Sequence, residues 1–436
     1  MDPLVIGILG LAGIFVLIAL HVPIGVALAI AGLISFAVLQ SLEVGITLFG
    51  SEPARLMANP DIGVIPLFLL MGGFSSAAGL SADIYRLAYA LFGHYRGGLA
   101  IATIGGSAGF GAVCGSSVAT VATMTRVALP EMLERHYSPK LATGCIAAGG
   151  TLGMLIPPSI IMVLYGFLTE QFVIALFIAA IVPGLITVLF YCIAIALYVR
   201  IRPEAGPAAT RLSWKERWII ARQVWGVLLL AFLVLGGLYG GVFTVSEAAA
   251  VGAGTAFLFT VFRRKLTWNT VWEVLLDTAA NTGMIYLLLM GASIFTFSMT
   301  LSGLPEATIG WITSLGWPPL LVIFGLLLMY LVLGSVFETV SAMIITLPFV
   351  FPLILELGYD PIWWGIINVM VIEIGLITPP IGINVFVIHG MAREASLTTI
   401  FAGIMPFFVA DIARLIILVI FPVLVLWLPR FLGIMG

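Results

Sequence analysis

The sequence predicts an all-α polytopic membrane protein built as an inverted repeat, with five spans and one re-entrant hairpin in each half. Three observations predict it. The chain of 436 residues is 62% hydrophobic and 9% charged, where a soluble domain carries about 25% charged residues. A breaker-rich stretch occurs twice: Gly115-Ser116-Ser117 through Thr120 and Met124 to Ile156-Pro157-Pro158, and Gly334-Ser335 through Thr339 and Met343 to Thr378-Pro379-Pro380. The basic residues gather on one set of alternating loops. Lipid offers a backbone no hydrogen bonds, so a broken helix survives there only when it is buried or lines a cavity. Matching breakers in two halves of a chain point to a transporter binding site.

The start, Met1-Asp2-Pro3 followed by apolar residues to Leu20, has no basic n-region and reads as a first span rather than a cleaved leader. A span needs about 20 apolar residues. Runs of that kind fall at 3–20, 23–49, 62–79, 140–168 and 172–200, then at 218–238, 242–262, 280–302, 361–390 and 398–428. Left over are 98–133, interrupted by Gly105, Gly106, Gly109 and Gly111, and 316–354. Each is predicted to be a re-entrant hairpin, with tips at Gly115-Ser116-Ser117 and near Gly334-Ser335. Ser81–Arg96 and Pro305–Ser314 read as interfacial helices. The polar stretch 201–217, with Arg202, Pro203, Glu204, Lys215 and Arg217, is the linker between repeats 1–200 and 218–436.

The repeat keeps one register at two matches and shifts by three residues at the Pro-Pro pairs, where Pro157 and Pro379 are 222 apart. The Thr-Val-x-x-Met matches start at Thr120 and Thr339, 219 residues apart, and Phe68–Gly72 matches Leu287–Gly291 at the same offset. Internal repeats are the first feature to seek. An odd number of spans makes the second half enter from the opposite side. With the N-terminus outside, the cytoplasmic segments hold Arg86, Arg96, Arg126, Arg135, Lys140, Arg200, Arg202, Arg211, Lys215, Arg217, Arg222, Arg263, Arg264, Lys265 and Arg393, which is 15 of the 18 basic residues. Arg55 and Arg430 fall outside and Arg414 lies within the last span. The positive-inside rule then places both termini outside.

The two hairpin tips are predicted to meet opposite two Pro-Pro loops near mid-membrane. Proline removes a backbone donor and clashes one turn back, and Ile156 and Thr378 before the pairs are pushed to extended geometry. Helices broken near 150–159 and 375–384 free carbonyls, which with Ser and Thr hydroxyls are hard oxygen ligands for an alkali cation. Half-helix N-termini suit an anionic substrate group. The alternative is that these small residues and prolines only allow kinks and tight packing.

Glu338 is the one acid at a hairpin tip, a cation or proton site unless the tip touches water. Glu373 is a weaker candidate of the same kind, and Glu247 reads as an interfacial or packing group. Asp411 and Arg414, three apart, share a helix face and are expected to pair structurally. Arg126 either attracts an anion or lies at the cytoplasmic surface. Trp363, Trp364 and Trp427 are expected as interface anchors.

Several functions find no support. Ser116 and Ser117 have no His or Lys base at recognisable spacing, so no enzyme is predicted. Cys114, Cys145 and Cys192 imply no disulfide framework. The four histidines show no transition-metal spacing. No basic stripe points to nucleic acid, and no Gly-x-x-x-x-Gly-Lys-Ser/Thr loop points to ATP.

Several motifs resemble the large membrane subunit of tripartite ATP-independent periplasmic (TRAP) transporters. They are Ile65–Gly72, Gly97–Ala100, Gly115–Thr120, Leu129–Met132, Gly149–Ser159, Phe243–Gly252 and Thr378–Asn384, in order along nearly the whole chain. The resemblance implies an elevator-type, ion-transporter-like fold. It implies sodium-coupled import of a small organic acid across a bacterial inner membrane, in which the termini that the basic-residue bias places outside are periplasmic. The partners it implies are a periplasmic substrate-binding protein and a small four-span membrane subunit on a separate chain. A stand-alone sodium/dicarboxylate or ion transporter of similar fold is the alternative; a non-transporting membrane scaffold is a distant third. Two Na+ sites are implied, each between a tip and the broken helix of its own half. One takes Gly115, Ser116, Ser117, Gly150, Thr151, Gly153 and Pro157; the other takes Gly334, Glu338, Thr339, Gly375, Thr378 and Pro379. Substrate contacts are expected from Ser117, Thr120, Pro158, Ser159, Glu338, Gly382 and Asn384. The chain departs from the family pattern at Cys114, where Ser is usual, at Glu338, where Asp is common, and at Val245-Ser246, where Pro-Thr is usual.

Overall fold

The computed structural model describes residues 2–60 and 62–435, and among them every regular element is helical. The first half opens with α1 (Pro3–Ala19), α2 (Ile24–Leu39) and α3 (Leu42–Met57). It continues with α4 (Val64–Ala78), α5 (Leu80–Phe92), α6 (Gly98–Cys114), α7 (Ser117–Glu134), α8 (Pro139–Leu155), α9 (Ile160–Thr169) and α10 (Val173–Ile201). The second half has α11 (Trp214–Gln223), α12 (Trp225–Tyr239, with a π turn at Phe232–Gly236), α13 (Val245–Phe262) and α14 (Trp268–Ser302). Then follow α15 (Leu304–Ser314), α16 (Pro319–Val336), α17 (Thr339–Glu356), α18 (Pro361–Gly375), α19 (Ile383–Met391), α20 (Leu397–Ile420) and α21 (Val423–Phe431). Among the described residues, six helices are long and apolar enough to cross a membrane alone, and three bent pairs are long enough together. The chain is therefore a multi-pass membrane protein.

The same order appears twice. An entry of two consecutive helices (α4–α5, bent by 63°, then α14–α15) leads to a helical hairpin (α6–α7, then α16–α17). A helix interrupted at a Pro-Pro pair follows (α8–α9, then α18–α19), and a long closing helix ends the series (α10, then α20). The halves are interleaved. α2 packs on α14 and α13 on α4, while α7 packs on α19 and α17 on α9. Glycine permits the closest crossings: a Cβ on Gly25 would lie 2.7 Å from the Leu287 carbonyl carbon, and one on Gly32 would lie 2.8 Å from the Phe295 Cα.

Several element boundaries differ from the expected spans, each for a local reason. The span expected at 23–49 ends at Leu39, because Ser41 caps a new helix by accepting the Val44 N–H at 3.3 Å. The linker does not run to 217: Ser213 and Glu216 form a capping box that starts α11 inside it, and α11 meets α12 at a 48° bend. The span expected at 280–302 begins twelve residues earlier, at Trp268, where the Thr267 hydroxyl accepts the Thr270 N–H at 3.1 Å. The last span stops at Ile420, and a separate α21 follows Pro422. Glu247 is the other half of a capping box with Thr244 at the start of α13.

Two tryptophans expected at the interface are core residues. Trp363 and Trp364 are fully buried, and the Trp363 indole donates to the Leu418 carbonyl at 3.1 Å. Trp427 is half exposed and stacks on Phe431. The expected Asp411–Arg414 pair is formed at 2.7 Å in the core, and Arg414 also donates to Thr187 on α10 at 2.8 Å.

Candidate functional site

The first hairpin turns at Gly115, whose φ of 63° suits glycine. The next residue, Ser116, caps α7 by accepting the Ala119 N–H at 3.4 Å. The tip is seated on the broken helix of its own half. A Cβ on Gly115 would lie 3.0 Å from the Pro158 carbonyl oxygen, and one on Gly153 would lie 2.6 Å from that of Ser116. α8 is not broken at 150–153; it runs to Leu155, and the interruption is confined to Ile156–Ser159. Gly150 and Gly153 are thus helical, and their role in the geometry is close approach to α7. Thr151 turns away from the tip: its hydroxyl donates to the Ala148 carbonyl at 2.7 Å and meets the Tyr191 hydroxyl at 3.0 Å. Thr120 is buried with its hydroxyl on the Ser116 carbonyl at 2.7 Å. Pro157, Pro158 and Ser159 are buried, and the Ser159 Oγ has no partner among the described residues.

The second hairpin breaks at Phe337-Glu338, three residues beyond the expected tip, because Gly334 and Ser335 still belong to the last turn of α16. Gly334 is there for a crossing: its Cβ would lie 2.7 Å from the Ile372 carbonyl oxygen, and a Cβ on Gly375 would lie 2.8 Å from the Ser335 nitrogen. Glu338 caps α17, accepting the N–H groups of Val340 at 3.1 Å and Ser341 at 3.4 Å. Its carboxylate is therefore set against the positive end of that helix. Thr378 donates to the Ile374 carbonyl at 2.6 Å, and Gly382, with φ 63°, donates its N–H to Ser335 at 3.2 Å. The loops differ in one respect: Pro157 and Pro158 are buried, whereas Pro379 and Pro380 are exposed.

Four buried polar side chains gather where the first tip meets the second half. The Asn384 amide donates to the Ser117 hydroxyl at 3.0 Å, joining the second broken helix to the first tip. The Thr339 hydroxyl donates to Glu373 Oε1 at 2.9 Å, and Ser117 also neighbours the Glu373 carboxyl. Glu373 is 1% exposed, and its Oε2 has no partner among the described residues; neither does the Asn384 Oδ1. Asp411 already pairs with the nearby Arg414 guanidinium. Unmatched acceptor oxygens around a buried carboxylate form a donor set for a hard cation. Glu373, the weaker candidate in the sequence, is the acid that the fold buries among these groups. It sits two positions before Gly375 in an apolar run, and only the fold shows that its face of α18 meets both tips. Asn384 bridges 267 residues of sequence, a link no local spacing records.

Beside the first tip lies a cavity of about 570 Å³, walled by α4, α7 and the first turns of α14, with Cys114 and Ser116 on its wall. It lies between the first hairpin, α4 of the same half and α14 of the other half.

Residues 11–424 match the family model described as the tripartite ATP-independent periplasmic transporter, DctM component. The C4-dicarboxylate TRAP transporter large permease protein DctM of Pseudomonas aeruginosa is 38% identical, over 85% of this chain and 86% of that protein. The protein of the same description from Rhodobacter capsulatus is 35% identical, over 86% of this chain and 88% of its own length. In fold, the chain is similar to the crystal structure of the Alcanivorax borkumensis YdaH transporter, with a TM-score of 0.63, 18% identity and coverage of 88% and 90% of the two chains.

Proposed function

The chain belongs to the DctM component family of tripartite ATP-independent periplasmic transporters, and on that premise we propose that it imports a small organic acid by coupling to sodium. It is a transporter subunit and not an enzyme. In this reading it lies in a bacterial inner membrane with both termini periplasmic. It receives its cargo from a periplasmic substrate-binding protein and works with a small four-span membrane subunit. The moving part carries both hairpins past the remaining helices, an elevator motion.

The observation that carries sodium coupling is the cluster of Ser117, Thr339, Glu373 and Asn384. Thr339 spends its proton on Glu373 and keeps its lone pairs. The Glu373 Oε2 and Asn384 Oδ1 remain as further acceptors. A monovalent cation bound there satisfies these oxygens of the second half, beside Ser117 of the first tip. The Glu338 carboxylate and the carbonyls around the two Pro-Pro loops complete two such sites in the proposed scheme. Organic-acid cargo is supported by the names of the DctM relatives and by the α7 N-terminus at the cavity wall.

The test is uptake into proteoliposomes containing this chain, its small subunit and the binding protein, over a panel of organic acids. Uptake is expected to require an inward sodium gradient and to ignore ATP. Undiminished uptake after the sodium gradient collapses would count decisively against the proposal.

A further inference from the structure

The cavity beside the first hairpin has charged walls. The α7 cap Ser116 and, on α7, Ala119, Ala122, Thr123 and Arg126 line it, at the three- and four-residue spacing of one helix face. On the facing α14, Thr270, Glu273, Asp277 and Asn281 repeat that spacing. Arg126 is the one basic side chain among the lining residues, and it is exposed there. Lys265 packs beside Gly79 at the rim without lining the space. Among the described residues Arg126 makes no ion pair or hydrogen bond, and neither do the carboxylates of Glu273 and Asp277.

An unpaired guanidinium offers a planar fork that matches a carboxylate, and low-dielectric walls concentrate its field. Two carboxylates on the opposite wall weaken that attraction. Ser116 and Arg126 lie about 15 Å apart along the helix at 1.5 Å per residue, so Arg126 stands further along the cavity from the tip.

We propose that Arg126 is the carboxylate-binding residue of this cavity. It takes the acid group of the cargo as it leaves the first tip, and Glu273 and Asp277 keep that hold loose so that the cargo departs. This rests on the transport reading given above, but its test does not require transport. The protein is prepared with its small subunit in a Cys114→Ser, Cys145→Ala, Cys192→Ala background carrying Ala122→Cys on the cavity wall. The labelling rate of that thiol is compared for an anionic sulfonate reagent and a cationic trimethylammonium reagent of the same methanethiosulfonate chemistry. Arg126→Gln is expected to lower the anionic-to-cationic rate ratio by roughly 3- to 10-fold, and Arg126→Lys to restore much of it. Glu273→Gln with Asp277→Asn is expected to raise the ratio. Succinate is expected to slow labelling of the parent, with a half-protecting concentration that rises in Arg126→Gln and falls in the double variant. A ratio and a succinate protection that do not change in Arg126→Gln overturn the proposal. The ratio is read from whichever membrane face labels, so labelling from the periplasmic face would overturn the topology and leave the role of Arg126 under test. Sodium-independent uptake would likewise fail the coupling reading alone.

Discussion

A carboxylate such as Glu373, 1% exposed with one oxygen unpartnered, costs several kcal/mol unless a cation or a proton meets it. The buried Asp411 has its counter-charge in Arg414 at 2.7 Å; among the described residues Glu373 has none at such distance. Glu373→Gln keeps the shape and an acceptor for Thr339 while removing the charge. It is expected to assemble in equal or greater yield and melt no lower, yet to lose sodium-driven uptake. Its companion Thr339→Val keeps the β-branch and removes the hydroxyl. Loss of one charge-assisted contact of about 1.5–3 kcal/mol means roughly a 10- to 150-fold rise in half-saturating sodium. Both are read from the sodium titration of uptake beside a melting curve. A lower melting temperature with an unmoved sodium titration would assign these residues to packing.

At the scale of elements, the two hairpins are held by glycines that let backbones touch. Gly153 shows how the balance falls. Alanine there gains about 1 kcal/mol of helix propensity. Its Cβ would, however, lie 2.6 Å from the Ser116 carbonyl oxygen, a backbone atom with little room to yield. Overpacking of that kind costs about 1–3 kcal/mol, so the clash prevails. Gly153→Ala is expected to lower the melting temperature in detergent and to weaken sodium activation through the displaced tip. A variant as stable and as active as the parent would show that this seating is dispensable. The helices themselves were largely legible as apolar runs and breakers. Their ends were less so, because caps such as Ser41 and Thr267 start helices inside stretches whose hydropathy does not change. The sequence predicts the second tip near Gly334-Ser335, because glycine usually marks a turn; in the fold Gly334 marks a crossing with α18.

For the whole molecule, the basic-residue bias and the doubled element order support opposite insertion of the two halves. On the proposed topology the segment 203–210, which joins them, is cytoplasmic. A single cysteine introduced there is expected to react with a membrane-impermeant reagent only in inside-out vesicles. Reaction in right-side-out vesicles would sink the inverted arrangement. The interleaving of α2 with α14 and of α7 with α19 means neither half completes the central cluster by itself.

The sequence by itself determined the class of the protein. Its apolar composition requires a membrane, its doubled breakers require sheltered broken helices, and its motifs carry the family. It also named both Pro-Pro loops and the residues Ser117, Thr339 and Asn384, since polar and breaker residues stand out in an apolar chain. Tertiary structure alone decided which of them meet. Thr151 belongs to a contact with Tyr191 on α10, Trp363 and Trp364 belong to the core, and Glu373 joins Thr339. Spacing along a helix reports which face a residue shares, but the neighbour of that face comes from elements hundreds of residues away. The Ser117–Asn384 bond spans 267 residues, and it exists only because the two halves fold into each other.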